Sequence, residues 1–125
     1  MKLVDTTVAV DHLRGVAVAT ELLSDLLLAG ESVVASELVR FELLAGMREE
    51  EGDALEAFFA ALVWAPVDAE IARTAGLLAR RHRLSHHGID DVDYLIAATA
   101  LVLDAELLTT NVRHFPMLPG LRTAY

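Results

Sequence analysis

Three acids stand at positions where a carboxylate is costly or conspicuous. Asp5 follows the short run KLV, so it falls where a buried strand would end. Glu42 lies within SELVRFELLAGM, where helical spacing places Leu38, Phe41 and Leu44 or Ala45 toward a core. A glutamate in that company costs stability unless it is paired or reaches a cleft. Asp93 lies in GIDDVDYLIAATA, one turn inside a helix, on the face of the small residues Ala97 and Ala100. Three carboxylates from three separate elements suit a hard cation, because Mg²⁺ and Mn²⁺ prefer oxygen ligands and keep several waters. Such a site hydrolyses phosphodiesters by lowering the pKa of a water and stabilising charge on the phosphate. Each acid also has a plainer use. Asp5 could cap the helix that follows, Glu42 could snorkel to solvent, and Asp93 could complement a helix dipole.

The elements that must position these acids follow from periodicity and punctuation. KLV reads as a strand, TTVAVDHLRG as a helix stopped by Gly15, and VAVATELLSDLLLAG as a second helix with Val18, Leu22, Leu26 and Leu27 at helical spacing. SVVAS is β-branched and short, a second buried strand, and Ser36 can cap the helix ELVRFELLAGM. MREEEGD is a charged turn. ALEAFFAALVW reads as a helix with Phe58, Phe59 and Leu62 near one face, and APV as a short strand or link. DAEIARTAGLLARRHR opens on Asp68 and closes on Arg80, Arg81 and Arg83, the charge order a helix dipole favours. DDVDYLIAATALVLD is the next helix, AELLTT a strand, NVRHF a short turn or helix, and LRTAY a candidate last strand. Short buried strands separated by helices predict an α/β sandwich with a short, mainly parallel sheet. In such sheets sites gather at the carboxyl ends of strands, which is where Asp5 falls.

The 125 residues fit one domain spanning 1–125. A hydrophobic fraction of 54% with 6% aromatics predicts a core of Leu, Val and Ala, and 23% charged residues argues against disorder. With no cysteine, neither disulfides nor thiolate metal sites are available. Asp5 and Asp11 interrupt the N-terminal apolar run, so it makes a poor signal peptide. No stretch approaches the roughly 18 apolar residues of a membrane span. The chain therefore reads as a soluble, cytoplasmic protein with no membrane partner. The net charge of −9 argues against tight nonspecific nucleic-acid binding, although a local basic patch can still guide a polyanion past a metal site.

Other polar residues divide between duties. Asp90 starts D-x-x-D and reads as a cap or as the rim of a site, Asp91 as solvated, and Asp11 as a solvated helix residue. Glu37, next to Ser36, reads as a first-turn dipole residue. RRHRLSHH is the densest basic stretch; it is either a dipole-matched helix end or a contact for an RNA backbone through Arg80, Arg81 and Arg83. His86 and His87 lack the spaced partners that zinc needs.

VDTTVAVDHL resembles the opening motif of PIN-domain ribonucleases, an Asp-(Ser/Thr) pair after the first strand. SELVRFELLAG resembles their second motif, DYLIAATAL their third, and LLTTNVRHFPMLPGL their C-terminal segment. The four motifs occur in order over nearly the whole chain, and they are most similar to VapC-type toxins of toxin–antitoxin pairs. The resemblance implies a PIN-like three-layer sandwich and an endoribonuclease using Mg²⁺, with Mn²⁺ as a substitute. It implies that Asp5, Glu42 and Asp93 bind the metal, and that Thr6 is a supporting hydroxyl orienting Asp5 or a water. It further implies a structured RNA substrate such as a tRNA or rRNA loop, a cognate antitoxin, a homodimer, and a larger assembly with the antitoxin. Helices of the first half would serve that docking. The chain departs from the pattern at Asn111, which stands where the family often has a fourth acid, with His114 nearby. An amide brings no charge, so metal number stays open, and a catalytically weak PIN-like module binding RNA or protein is the alternative. A phosphotransferase with Asp5 as nucleophile fits less well, because Thr7 occupies the place of its usual second acid.

Overall fold

The computed structural model describes all residues, Met1–Tyr125. Four strands and six helices alternate in a regular way. Strand β1 (Lys2–Val4) is followed by α1 (Thr6–Leu13) and α2 (Ala17–Leu28). Strand β2 (Val33–Ser36) is followed by α3 (Glu37–Gly46), a 3-10 turn at Glu49–Glu51 and α4 (Gly52–Ala60). Strand β3 (Val63–Ala65) precedes α5 (Ala69–His82) and α6 (Asp91–Leu103), and β4 (Glu106–Leu108) is followed by a 3-10 turn at Val112–His114. Each strand is thus joined to the next by a pair of helices, the crossover that parallel pairing requires.

The sheet order is β3-β2-β1-β4, and every pairing is parallel. Leu3 stands opposite Val34 on one side and Leu107 on the other. Helices flank both faces of the sheet, giving the expected three-layer α/β sandwich. Burial follows strand position: all four residues of central β2 are buried, while edge strand β3 leaves Val63 exposed. α5 shows the regular helical logic, with Ile71, Ala75 and Leu78 buried at i, i+4 and i+7 and packed chiefly against α6. Its N-cap Asp68 accepts the Ile71 N–H at 2.9 Å, and Ser36 caps α3 through the Leu38 N–H at 3.1 Å. α1 and α2 stop at Gly15 (φ +79°) and Gly30 (φ +77°), left-handed positions that glycine adopts without penalty.

The chain proceeds from β1 outward to β2 and β3, then returns to place β4 on β1's other side. The order reverses between β1 and β4, and a crevice forms at such a switch point beyond the carboxyl ends of the strands. The Asp5 N–H donates to the Leu108 C=O at 2.9 Å, so the residues leaving β1 and β4 are held side by side there.

Several sequence expectations are corrected. The fourth helix ends at Ala60 rather than Trp64, and the link at APV is a strand that begins earlier, at Val63. Phe41 (66% exposed), Leu44 and Ala45 face outward; Val39 and Leu43 carry the core face of α3, with Leu38 partly buried. On α2 the buried pair is Ala19 and Leu23, while Val18 and Leu27 are exposed. α2 and α3 are apolar on more than one side, so periodicity did not select the face; the faces that turn inward pack against α1 and β2. Residues 121–125 form no strand, although the Ala124 N–H bonds the Thr109 C=O at 2.8 Å.

Candidate active site

Asp5 takes the N-cap position of α1 with extended backbone (φ −82°, ψ 159°), yet its side chain caps nothing. It is buried, and its Oδ2 accepts the Thr109 hydroxyl at 2.7 Å. The Thr7 hydroxyl stands 3.4 Å from the same oxygen and accepts the Thr110 N–H at 3.2 Å. Thr109 is fully buried at the end of β4, and its hydroxyl also accepts the Asn111 N–H at 3.0 Å. Two threonines thus fasten Asp5 across the β1–β4 junction. Burial pushes the Asp5 carboxyl above the ordinary carboxylate range; the hydrogen bonds from Thr109, the Thr6 backbone and Thr7 oppose that shift, and the Asp93 charge adds to it.

Glu42 is half-buried on α3, and its Oε1 accepts the Thr6 hydroxyl at 2.8 Å. The Thr6 hydroxyl therefore holds Glu42, whereas the resemblance implied that it orients Asp5 or a water. Asp93 is 17% exposed; its Oδ2 accepts the Asp90 N–H at 3.2 Å and lies 3.0 Å from His114 Nδ1. It closes the N-terminus of α6 and also lines the crevice. Ala97 and Ala100 below it are buried, as their size predicted.

Asp5, Thr6, Glu42, Asp90, Asp93, Asn111 and His114 line one open concavity, together with Thr7, Val10, Asp11 and Thr110. Asp90 is exposed and sits at its rim. Asn111 makes no side-chain cap to the 3-10 turn that follows. Asp91 is turned away and pairs with Arg83 at 2.6 Å. Asp11, read from sequence as solvated, is half-buried and accepts the Tyr125 phenol at 2.6 Å. Desolvation and then Asp11 hold that phenol above the ordinary tyrosine range. Thr7 and Thr109 were not singled out from sequence. The one available signal was TT at each strand exit, Thr6-Thr7 and Thr109-Thr110, hydroxyls placed where acids need donors.

No lysine or arginine lines the concavity, and five carboxylates do. This donor chemistry fits a hard divalent ion. No three His, Asp or Glu side chains form a ready ligand cluster, so the acids ring an open bowl.

The basic residues lie elsewhere. Arg80 and Arg83 border a shallow depression along α5 with Arg73, Leu77 and Leu84, and Arg81 is exposed. Arg83 bridges to Asp91, two residues before Asp93. A separate groove between α1, α2 and α4 is largely apolar, lined by residues including His12, Leu13, Leu23, Leu27, Phe58 and Leu62. His12 stacks on Phe58 with ring centroids 4.9 Å apart, and burial lowers its pKa. No helix is long and apolar enough to cross a membrane.

The family model described as "PIN domain" matches residues 2–119. "Ribonuclease VapC19" of Mycobacterium tuberculosis is 68% identical over 125 residues, covering all of both chains. "Ribonuclease VapC10" of the same organism is 42% identical, over all of this chain and 93% of its own. Among solved structures, a toxin–antitoxin complex from Klebsiella pneumoniae superposes with a TM-score of 0.83 at 22% identity, covering 100% of this chain and 98% of that one. VapBC2 from Rickettsia felis, solved bound to a DNA fragment from its promoter, gives 0.82 at 23% identity over 98% and 96%. These two likenesses are of fold.

Proposed function

Since the chain belongs to the PIN-domain family, and within it to the VapC-type toxins, we propose that it is a metal-dependent endoribonuclease acting as one PIN domain over residues 1–125. The observation that carries this reading is the convergence of Asp5, Glu42 and Asp93, from three separate elements, on one concavity free of lysine and arginine. Asp5, Glu42 and Asp93 hold Mg²⁺ or Mn²⁺, and the Asn111 amide oxygen and Asp90 support it from the edge. When bound, the cation supplies charge neutralisation for a phosphodiester and acidity for a water.

The chain's own residues prepare that site. Thr109 and Thr7 fix the Asp5 carboxylate, Thr6 fixes Glu42, and His114 with the Asp90 N–H fixes Asp93. Fixed acids lose little freedom on binding, which is how outer hydrogen bonds strengthen a metal site. Arg80, Arg81 and Arg83 contact the RNA backbone; such contacts position the strand without reading its sequence. The substrate is a structured RNA, a tRNA or rRNA loop.

The partner is a cognate antitoxin. The apolar groove between α1, α2 and α4 suits an amphipathic helix laid along it, and the toxin–antitoxin complex from Klebsiella pneumoniae shares the fold. The toxin itself is a homodimer within that larger assembly.

Growth after induction of the wild type and of Asp93→Ala tests the reading, with RNA ends mapped in parallel. The expected result is arrest and discrete new ends for the wild type only, dependent on Mg²⁺ or Mn²⁺ in the purified protein. The neutral Asn111 favours a second reading, a PIN-like module that binds RNA or protein and cuts poorly. A wild type that binds RNA or antitoxin without cutting in added metal would establish it.

A further inference from the structure

The last residues form no strand, yet they are tied to the acidic cleft at two points. The Ala124 N–H donates to the C=O of Thr109, the residue whose hydroxyl holds Asp5. One residue on, the Tyr125 phenol donates to Asp11 Oδ2 at 2.6 Å. The Thr123 hydroxyl donates to the Tyr125 C=O at 3.0 Å and steadies the final residue. Asp11 lies on α1, lines the same concavity as Asp5, Glu42 and Asp93, and is half-buried.

A phenol to carboxylate bond of this length is charge-assisted and stronger than a neutral one. It engages Oδ2 of Asp11, whose side chain lines the concavity. After β4 the cleft is lined by Thr110, Asn111 and His114, none of them an acid. Asp11 is therefore the acid that α1 adds to the wall beyond Asp5. Two residues 114 positions apart are joined at the edge of the site, and helix packing alone does not require the bond.

We propose that Tyr125 is a positioning residue of the cleft: through Asp11 it holds a further outer acid that strengthens binding of a divalent cation. The inference rests on the metal-dependent reading above and deepens it. Tyr125 touches no reacting atom and acts only through the Asp11 carboxylate.

The test uses purified full-length wild type, Tyr125→Phe, Asp11→Asn and the double variant, titrated with Mn²⁺ in the absence of RNA. Free Mn²⁺ is read by its electron spin resonance signal, and unfolding midpoints are measured on the same samples in EDTA. Tyr125→Phe and Asp11→Asn are each expected to weaken Mn²⁺ binding roughly tenfold, the lower end for outer partners of a metal site. The double variant should bind as Asp11→Asn does, because the phenol acts through that carboxylate. Wild-type Mn²⁺ affinity in Tyr125→Phe, with or without a lowered midpoint, overturns the inference. So does a double variant whose loss is the product of the two single losses. A wild type that binds no Mn²⁺ overturns the metal-dependent reading, and this inference with it.

Discussion

Thr109→Val isolates the hydrogen bond that holds Asp5. Thr109 is fully buried and nearly the shape of valine, so the substitution removes a hydroxyl without opening a cavity. The lost bond is 2.7 Å long and goes to a buried carboxylate; hydrogen bonds to charged groups contribute about 1.5–3 kcal/mol. The Asn111 N–H also loses its acceptor, which favours the upper half of that range. For a chain of this length a loss of 1 kcal/mol lowers the melting midpoint by roughly 4 °C, so the expected fall is about 9–12 °C at neutral pH. The pH dependence identifies the cause. The Asp5 carboxyl is raised by burial, so its contribution to stability is present below the ordinary carboxylate range and is lost as pH rises through its folded value. The Thr109 bond opposes that shift, and its removal raises the carboxyl further. The gap between wild type and variant therefore opens as pH rises through the Asp5 range and is narrowest at acid pH. Urea unfolding in EDTA, followed by circular dichroism from pH 4 to 7.5, measures it. A loss below about 0.5 kcal/mol, or an equal loss at both ends of the pH range, refutes the reasoning. Thr109→Ser should restore most of the difference.

Asp5→Asn should abolish RNA cleavage yet stabilise the metal-free protein at neutral pH, since it removes a buried charge while keeping an acceptor for Thr109; the gain should vanish at acid pH, as thermal melts in EDTA would show. Thr6→Val should lower cleavage through Glu42 while costing about 1 kcal/mol or less, because the bond it removes is only part-buried; parallel rate and melting measurements separate the two effects. Tyr94→Phe should be neutral or stabilising, because the buried Tyr94 hydroxyl has no partner; a destabilisation above about 1 kcal/mol in urea melts contradicts this. Leu27→Asp, at a groove residue that is 43% exposed, should weaken antitoxin binding by tenfold or more in a calorimetric titration and leave RNA cleavage intact.

Local rules carried much of this molecule. Ser36 and Asp68 cap the helices their positions predict, and Gly15 and Gly30 end theirs. The strand ending before Asp5 was legible from three residues, because a short apolar run followed by an acid has few other uses. Asp93 was legible because a carboxylate above a stripe of buried alanines must face an opening. The parallel sheet followed from strands alternating with helices.

The amino-acid sequence by itself thus determined most of the elements and their order, apart from the end of the fourth helix and the last strand, and it marked Asp5, Glu42 and Asp93 as acids at conspicuous positions, since these depend on spacing within about one helical turn or one strand. It did not determine which face of α2 or α3 turns inward, because both are apolar on several sides; Phe41 and Leu44 face outward only once Val39 and Leu43 have packed. Nor did it reveal what holds the acids. Thr109 meets Asp5 across 104 positions, Thr6 meets Glu42 across 36, His114 meets Asp93 across 21, and Tyr125 meets Asp11 across 114. These pairings exist because β4 docks beside β1 and the order reverses there. Periodicity specifies the face of an element, whereas the partner across a gap is specified by register and layer packing, and only the tertiary structure fixes those.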